Sequence, residues 1–146
     1  MWSVARQACE YLGAAHGIAG ILHVLLLCPR QTVQPHMPTI LKTIEWLIEC
    51  QDSTGNWPTT APLPGNHNND KGLVQWCHGA TGILILLSTL LRYTSPNSPP
   101  LLHKVIAAIQ TGAELVYRHG LLRKGLGLCH GVSGERVRAV GGIRRP

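Results

Sequence analysis

AHGIAG at residues 15–20, CHGATG at 77–82 and CHGVSG at 129–134 are three copies of one motif, His-Gly-x-x-Gly. Their first glycines lie 62 and 52 residues apart, and such recurrence indicates a repeat protein. The first two copies open very apolar stretches, IAGILHVLLLC at 18–28 and ATGILILLSTLL at 80–91. We therefore predict that each copy of this His-Gly motif marks the start of a buried helix.

Two further segments, 38–51 and 101–120, have the helical period on one face only. Their apolar residues lie at positions 40, 41, 44, 47 and 48 and at positions 102, 105, 106, 109, 113 and 116. The helices that follow the His-Gly motifs are apolar nearly all round, so we expect them to be buried on all sides. Alternating buried and half-buried helices predict an all-α fold in two layers, an α/α toroid or solenoid whose outer helices wrap the inner ones.

Composition excludes several classes of protein. Hydrophobic residues make up 45% and charged residues 14% of the 146 residues, which argues for a heavily buried helical or α/β core and against disorder. The net charge is +6, but residues 135–146 hold four arginines and one glutamate, so no basic face for nucleic acid remains elsewhere. Five widely spaced cysteines predict reduced thiols and a cytoplasmic location. The apolar runs are shorter than the roughly 20 residues of a transmembrane helix, so we predict no membrane span.

Two Cys-His pairs, Cys77-His78 and Cys129-His130, occupy equivalent positions in the second and third motifs. Equivalent positions on neighbouring inner helices face each other at the mouth of a toroid, and a helix N-terminus favours a thiolate. Either all four residues close a structural Cys₂His₂ zinc site, or Cys77, Cys129 and His130 bind zinc and leave the fourth position open. Because the CxxC pattern is absent, the residues alone equally allow two buried cysteines and two hydrogen-bonded histidines.

Four segments carry a resemblance to a known family. EYLGAAHGIAG, GNWP, LVQWCHGATG and GLLRKGLGLCHGVSG follow in that order between Glu10 and Gly134. In them the chain resembles the eukaryotic lanthionine synthetase C-like (LanC-like) proteins. The resemblance implies a seven-fold α/α toroid with one central zinc ion, held by Cys77, Cys129 and His130, whose fourth position takes water or a thiol.

The resemblance also implies a reaction and its partners. Family members add a thiol to dehydroalanine or dehydrobutyrine, and in the eukaryotic proteins the thiol is glutathione and the acceptor a dehydrated residue in a peptide or protein. His16 matches the family histidine proposed to protonate the enolate, and His78 stands beside a zinc cysteine. Lys124 matches a lysine implicated in holding glutathione, and Arg123 beside it could contact a carboxylate. Without the resemblance, His16 reads as a packing or capping residue, and Lys124 and Arg123 equally as solvated charges. Some relatives associate peripherally with membranes.

The chain also departs from the family pattern. Three inner-helix starts are present where the family toroid has seven, so we expect residues 9–134 to form a partial toroid of about three helix-pair repeats. Residues 135–146, ERVRAVGGIRRP, are expected to form a divergent, disordered basic tail. An incomplete toroid leaves apolar helix faces without neighbours. We therefore expect the zinc ligands to be present and turnover to be inefficient.

Three classes of function compete on this sequence. The leading one is a zinc-dependent enzyme that forms a thioether from glutathione and a dehydroamino acid. The second is a non-catalytic scaffold or signalling module that binds zinc and glutathione without turnover. The third, a glycoside hydrolase of similar architecture, needs paired carboxylates at a cleft, and the seven acidic residues here are scattered over outer helices, loops and tail.

Overall fold

The protein is described by a computed structural model, and the helices follow the repeats of the sequence. The structure describes residues 11–62, 72–93, 99–120, 125–127 and 129–131. Its helices are α1 (Ile18–Leu27), α2 (Arg30–Val33), α3 (Met37–Glu49), α4 (Ala80–Tyr93) and α5 (Pro99–His119), with a 3₁₀ turn (Gln34–His36) between α2 and α3. In these ranges the extended backbone pairs only at an isolated bridge between Tyr11 and Thr60. The predicted all-α fold is confirmed.

The helices pack in the two layers predicted for a toroid. The inner helices α1 and α4, which both follow a His-Gly motif, contact each other. Outer helix α5 packs on α4, and α3 packs on α5. Within the described ranges, no helix is both long and apolar enough to cross a membrane. Residues 135–146, predicted to form a disordered tail, lie outside the described residues.

Helix α4 is the centre of the core. It lies between α1 and α5, and its side chains are buried on nearly every face. Ile83, Leu86, Leu87 and Leu90 are all fully buried, and each contributes roughly 1.5–3 kcal/mol through removal of its apolar surface from water. The prediction that an all-apolar helix is buried on all sides is therefore correct for α4.

The same prediction is wrong for α1. Leu22 and Leu26 are buried, whereas Ile21, Val24 and Leu27 are 62–64% exposed. The described neighbours of α1 are α4 and α2, and these leave its other face open. Burial of an apolar helix face requires a neighbour on that side, and the hydrophobicity of the helix does not supply one.

The outer helices show their predicted stripes, with one correction. In α3 the buried residues are Ile40, Ile44 and Leu47, as predicted. In α5 the buried face runs through Val105, Ala108, Gly112 and Val116, and the predicted core residue Ile106 is 38% exposed. The small residues Ala108 and Gly112 explain why the buried face of α5 differs from the predicted one. A Cβ atom on Gly112 would lie 3.1 Å from Leu84 and 3.2 Å from Trp57, so α5 approaches α4 closely along its alanine–glycine side.

The GNWP loop attaches the outer layer to the core. Trp57 is 1% exposed, and its indole Nε1 donates a hydrogen bond of 2.7 Å to the carbonyl oxygen of Leu47, near the end of α3. This carbonyl lies in the last turn of α3, where a helix lacks its regular backbone donors, and it also accepts from the N–H of Cys50 at 3.2 Å. Trp57 is thus a packing residue, and it also fixes the position of its loop.

Candidate metal centre

The three His-Gly motifs share one close contact between backbone atoms, although Gly17 has φ of −130° and Gly79 has φ of +97°. In each motif, the first glycine presses against the carbonyl oxygen six residues earlier, so closely that a Cβ atom would overlap that oxygen; the pairs are Gly17 with Tyr11, Gly79 with Leu73, and Gly131 with Gly125. The second glycine repeats the contact in the first two copies, where Gly20 meets Ala14 and Gly82 meets Trp76. The motif therefore requires glycine because the preceding segment folds back onto the start of the helix.

These folded-back segments lie side by side. Gly13 of the first repeat is packed against the carbonyl oxygen of Cys77 in the second. The backbone N–H of Cys77 donates in turn to the carbonyl oxygen of Cys129 in the third, with an N···O distance of 3.4 Å. Equivalent positions of neighbouring repeats thus meet at one end of the inner helices.

The three predicted metal ligands come together at this end. Sγ of Cys77, Sγ of Cys129 and a ring nitrogen of His130 all lie within 4.8 Å of one another. Cys77 is buried, Cys129 half-buried and His130 exposed. Two sulfurs on one tetrahedral zinc ion stand about 3.8 Å apart, given Zn–S bonds of about 2.3 Å. The donor atoms of this cluster, which we call the metal centre, therefore fit a zinc ion without a large rearrangement.

His78 lies outside this group of donor atoms. Its ring faces Tyr11 and His16, with ring centroids 5.9 Å and 6.2 Å away, and its buried Nδ1 has no hydrogen-bond partner among the described residues. Of the two geometries that the sequence allowed, the closed Cys₂His₂ site requires His78 among the ligands. Among the described residues, three of these four therefore come together, and three is the number of protein ligands in catalytic zinc sites.

The two thiols of the metal centre affect each other's ionisation. Burial, together with the neighbouring Cys129 thiol, raises the pKa of Cys77 to about 11. Its Sγ donates a hydrogen bond of 3.4 Å to Oε1 of the buried Gln75. Two thiols this close cannot both ionise cheaply without a positive charge between them. A divalent cation held by Cys77 and Cys129 would reverse that balance, because a coordinating thiol is deprotonated.

His16 holds the position in the first repeat that His78 and His130 hold in the others. Its side chain is exposed, whereas burial and then the nearby His16 lower the pKa of His78. The pair thus combines an imidazole open to solvent with one that favours its neutral form. Lys124 and Arg123, predicted to hold glutathione, lie outside the described residues.

Comparison with known proteins now bears on this site. The family model described as lanthionine synthetase C-like protein matches residues 2–136, which is nearly the whole chain. The chain belongs to the lanthionine synthetase C-like family. Among curated proteins, it is similar to "Glutathione S-transferase LANCL1" of Danio rerio, at 32% identity over 127 residues. The match covers 86% of this chain and 29% of that relative, so the LanC-like chain described here spans less than a third of the relative's length.

One residue of the LanC-like site was not predicted. Asn56 of the GNWP loop is 3% exposed, and its amide bonds to backbone groups on both sides of Cys77. The sequence held a weak signal, since an asparagine beside a core tryptophan must satisfy its own polar atoms. Its partners could not be predicted, because they follow it by 17 and 24 residues along the chain.

Proposed function

We propose that this chain holds one zinc ion at Cys77, Cys129 and His130, and that the site activates the thiol of glutathione for addition to dehydroalanine or dehydrobutyrine in a peptide or protein. The convergence of these three donor atoms within 4.8 Å carries the proposal. The name of the zebrafish relative, a glutathione S-transferase, supports glutathione as the thiol. When bound, the zinc ion would supply the positive charge that keeps a thiol ionised at neutral pH.

The side chains of the proposed ligands determine the charge of the site and the side from which a substrate can reach it. Cys77 and Cys129 as thiolates neutralise a divalent cation, and His130 adds a neutral donor. Cys77 is buried, and the exposed side of the site is the side of His130. A substrate thiol therefore approaches the open fourth position from the surface, past His130.

His16 is proposed to supply the proton. The C–S bond forms at the β-carbon of the dehydroamino acid, and the electron pair of its double bond moves toward the α-carbon and the carbonyl oxygen. The exposed side chain of His16 then donates a proton to the α-carbon, which completes the thioether. His78, whose lowered pKa favours the neutral ring, limits the positive charge around His16 and remains a candidate to pass a proton to it.

Glutathione would be oriented by charge. Glutathione has two carboxylates, which cationic side chains bind. Lys124 and Arg123 are the proposed partners, and they lie five and six residues before Cys129. Paired with a guanidinium and an ammonium, the carboxylates would fix the direction from which the thiol arrives. The acceptor peptide, peripheral membrane association and the cytoplasmic location all stay predictions. The described cysteines, Cys28, Cys50, Cys77 and Cys129, are free thiols, which accords with a reducing compartment.

The alternative is a scaffold that binds zinc and glutathione without turnover. This alternative stands because the chain covers only 29% of the zebrafish relative. The activity of a whole relative does not transfer to less than a third of its length. The two functions differ in one observable, the covalent adduct on the acceptor.

The test is adduct formation on a synthetic peptide that contains one dehydroalanine. The zinc-loaded chain, glutathione and peptide are incubated, and the glutathione adduct is followed by mass spectrometry against the reaction without protein. We expect acceleration that falls by roughly 10²–10⁴-fold in His16→Asn, the range typical of a lost general acid, and that persists in His103→Asn, which changes an exposed histidine of α5. Glutathione binding by calorimetry with no acceleration would support the scaffold instead.

A further inference from the structure

We infer that Asn56 is a positioning residue for the metal centre, whose side-chain amide clamps both ends of the segment that carries Cys77. The inference rests on the proposed zinc site. Asn56 is not one of the proposed zinc ligands and does not belong to α4. It concerns how tightly and in what geometry the site holds a metal.

The clamp consists of two hydrogen bonds from one buried amide. Nδ2 of Asn56 donates to the carbonyl oxygen of Leu73 at 3.2 Å, and Oδ1 accepts from the backbone N–H of Ala80 at 2.9 Å. Leu73 lies four residues before Cys77, and Ala80 lies three residues after it and begins α4. One side chain thus spans the eight-residue segment 73–80 and also satisfies one of the free N–H groups at the start of α4.

Asn56 is itself held rigidly. Its backbone N–H donates to Oδ1 of Asp52 at 3.0 Å, and its carbonyl oxygen accepts from the N–H of Asp52 at 2.8 Å. The same Asp52 oxygen accepts from the N–H of Thr54 at 2.8 Å. The next residue, Trp57, is fully buried and bonded to the end of α3. The clamp therefore transmits the position of a fixed loop to segment 73–80.

The segment needs such support because its backbone reverses direction just after the ligand. Gly79 has φ of +97°, and a Cβ atom there would lie 2.9 Å from Oδ1 of Asn56. Other hydrogen bonds of the segment include the bond from the N–H of Gln75 to the carbonyl of His78, at 2.9 Å, the bond from Sγ of Cys77 to Oε1 of Gln75, at 3.4 Å, and the bond from the N–H of Cys77 to the carbonyl of Cys129. Partners that fix the orientation of a ligand are worth roughly 10–100-fold in metal affinity.

The amide of Asn56 suits both ends of this clamp. Leu73 offers an acceptor and Ala80 offers a donor, so the side chain between them must donate and accept at once. Aspartate retains the acceptor for Ala80 and places a carboxylate oxygen against the Leu73 carbonyl, while alanine loses both bonds. Asn56→Ala therefore removes both hydrogen bonds, whereas Asn56→Asp removes only the bond to Leu73.

The experiment compares the zinc dissociation constants of wild type, Asn56→Ala and Asn56→Asp, measured by competition with a chromophoric chelator under conditions where each is folded. Gln51→Ala is the matched control, since Nε2 of Gln51 bonds to the carbonyls of Gly55 and Ala108, at 3.0 and 3.1 Å, and makes no bond to segment 73–80. We expect the dissociation constant to rise roughly 10–100-fold in both Asn56 variants and by less than about twofold in Gln51→Ala. A residue that only stabilises the fold would lower the unfolding midpoint and leave the zinc affinity of the folded protein unchanged.

A second measurement needs no variant. Coupling between two sites is reciprocal, so zinc should slow amide hydrogen exchange in residues 52–57 of the wild-type chain, which contain no metal ligand. Unchanged exchange there, or wild-type zinc affinity in whichever Asn56 variant folds, would overturn the inference while leaving the zinc site standing. A wild-type chain that binds no zinc would overturn the proposed function and this inference together.

Discussion

At the scale of single residues, the glycines of the His-Gly motif are set by close contact with backbone, and Gly79 is the most constrained of them. It combines φ of +97° with a carbonyl oxygen, that of Leu73, in the place of its missing Cβ. A left-handed conformation costs a non-glycine residue roughly 1–2 kcal/mol, and overlap with backbone adds to this because backbone cannot rotate away. Both effects act one residue before α4 and two residues after Cys77.

Gly79→Ala should therefore destabilise the protein by at least about 3 kcal/mol, measured by urea unfolding. Gly72→Ala is the matched control, because Gly72 also has positive φ, of +57°, but no atom of the described residues lies within 4 Å of its Cβ position. That variant should lose only about 1 kcal/mol, the cost of the backbone conformation alone. Equal losses in the two variants would refute the close-contact explanation of the motif.

The pH dependence of stability offers a second test at this scale, on His23 of α1. Burial lowers the pKa of His23 from its ordinary value of 6.5, so the folded state takes up this proton less readily than the unfolded chain does. The contribution of His23 to the free energy of unfolding is therefore fully present above pH 6.5. It is lost as the pH falls from 6.5 toward the lower pKa that His23 has in the folded state.

The urea midpoint should fall between pH 7.5 and pH 5.5, and the fall should be smaller in His23→Gln than in the wild type. His103→Gln, which changes an exposed residue of α5, should leave the pH dependence close to that of the wild type. If His23→Gln keeps the full dependence, burial of this ring is not its source.

At the scale of elements, hydrophobic pattern predicted which segments are helices and only partly how they pack. The pattern predicted α1, α3, α4 and α5 close to their observed bounds, because a helical period depends only on the local sequence. It missed α2, whose four residues are too few to show a period. It also assigned Ile106 to the core, since periodicity cannot foresee that Ala108 and Gly112 draw α5 toward α4.

The inner helices α1 and α4 have similar sequences and different surroundings, which predicts different responses to the same kind of substitution. Leu87→Ala in α4 removes a fully buried side chain and should cost roughly 2–5 kcal/mol in free energy of unfolding. Ile21→Ala in α1, where the side chain is 64% exposed, should change it by no more than about 0.5 kcal/mol. A large loss in Ile21→Ala would mean that the outer face of α1 is covered in solution.

At the scale of the whole molecule, repeat symmetry explains why the metal centre could be predicted from the sequence. Cys77 and Cys129 lie 52 residues apart but occupy the same position in successive repeats, and stacking of repeats brings equivalent positions together. Asn56 has no such relation to Cys77. It approaches the segment from the loop after an outer helix, so its role depends on tertiary contacts that no repeat pattern encodes.

Because its ligands come from two repeats, zinc should hold the second and third repeats together. Zinc at 100 times its dissociation constant should add about 2.7 kcal/mol to the free energy of unfolding, since it binds the folded state in preference to the unfolded chain. A chelator should remove this gain in the wild type and change nothing in Cys129→Ala. A gain that persists in Cys129→Ala would place the stabilising zinc elsewhere on the chain.

The most direct test of the central claim is the zinc content of the purified chain, measured by elemental mass spectrometry. We predict close to one zinc ion per chain, lost in Cys129→Ala and retained in Cys50→Ala, which removes a half-buried thiol outside the metal centre. A folded wild-type chain without zinc after incubation with the metal, or one whose zinc survives Cys129→Ala, would contradict the account.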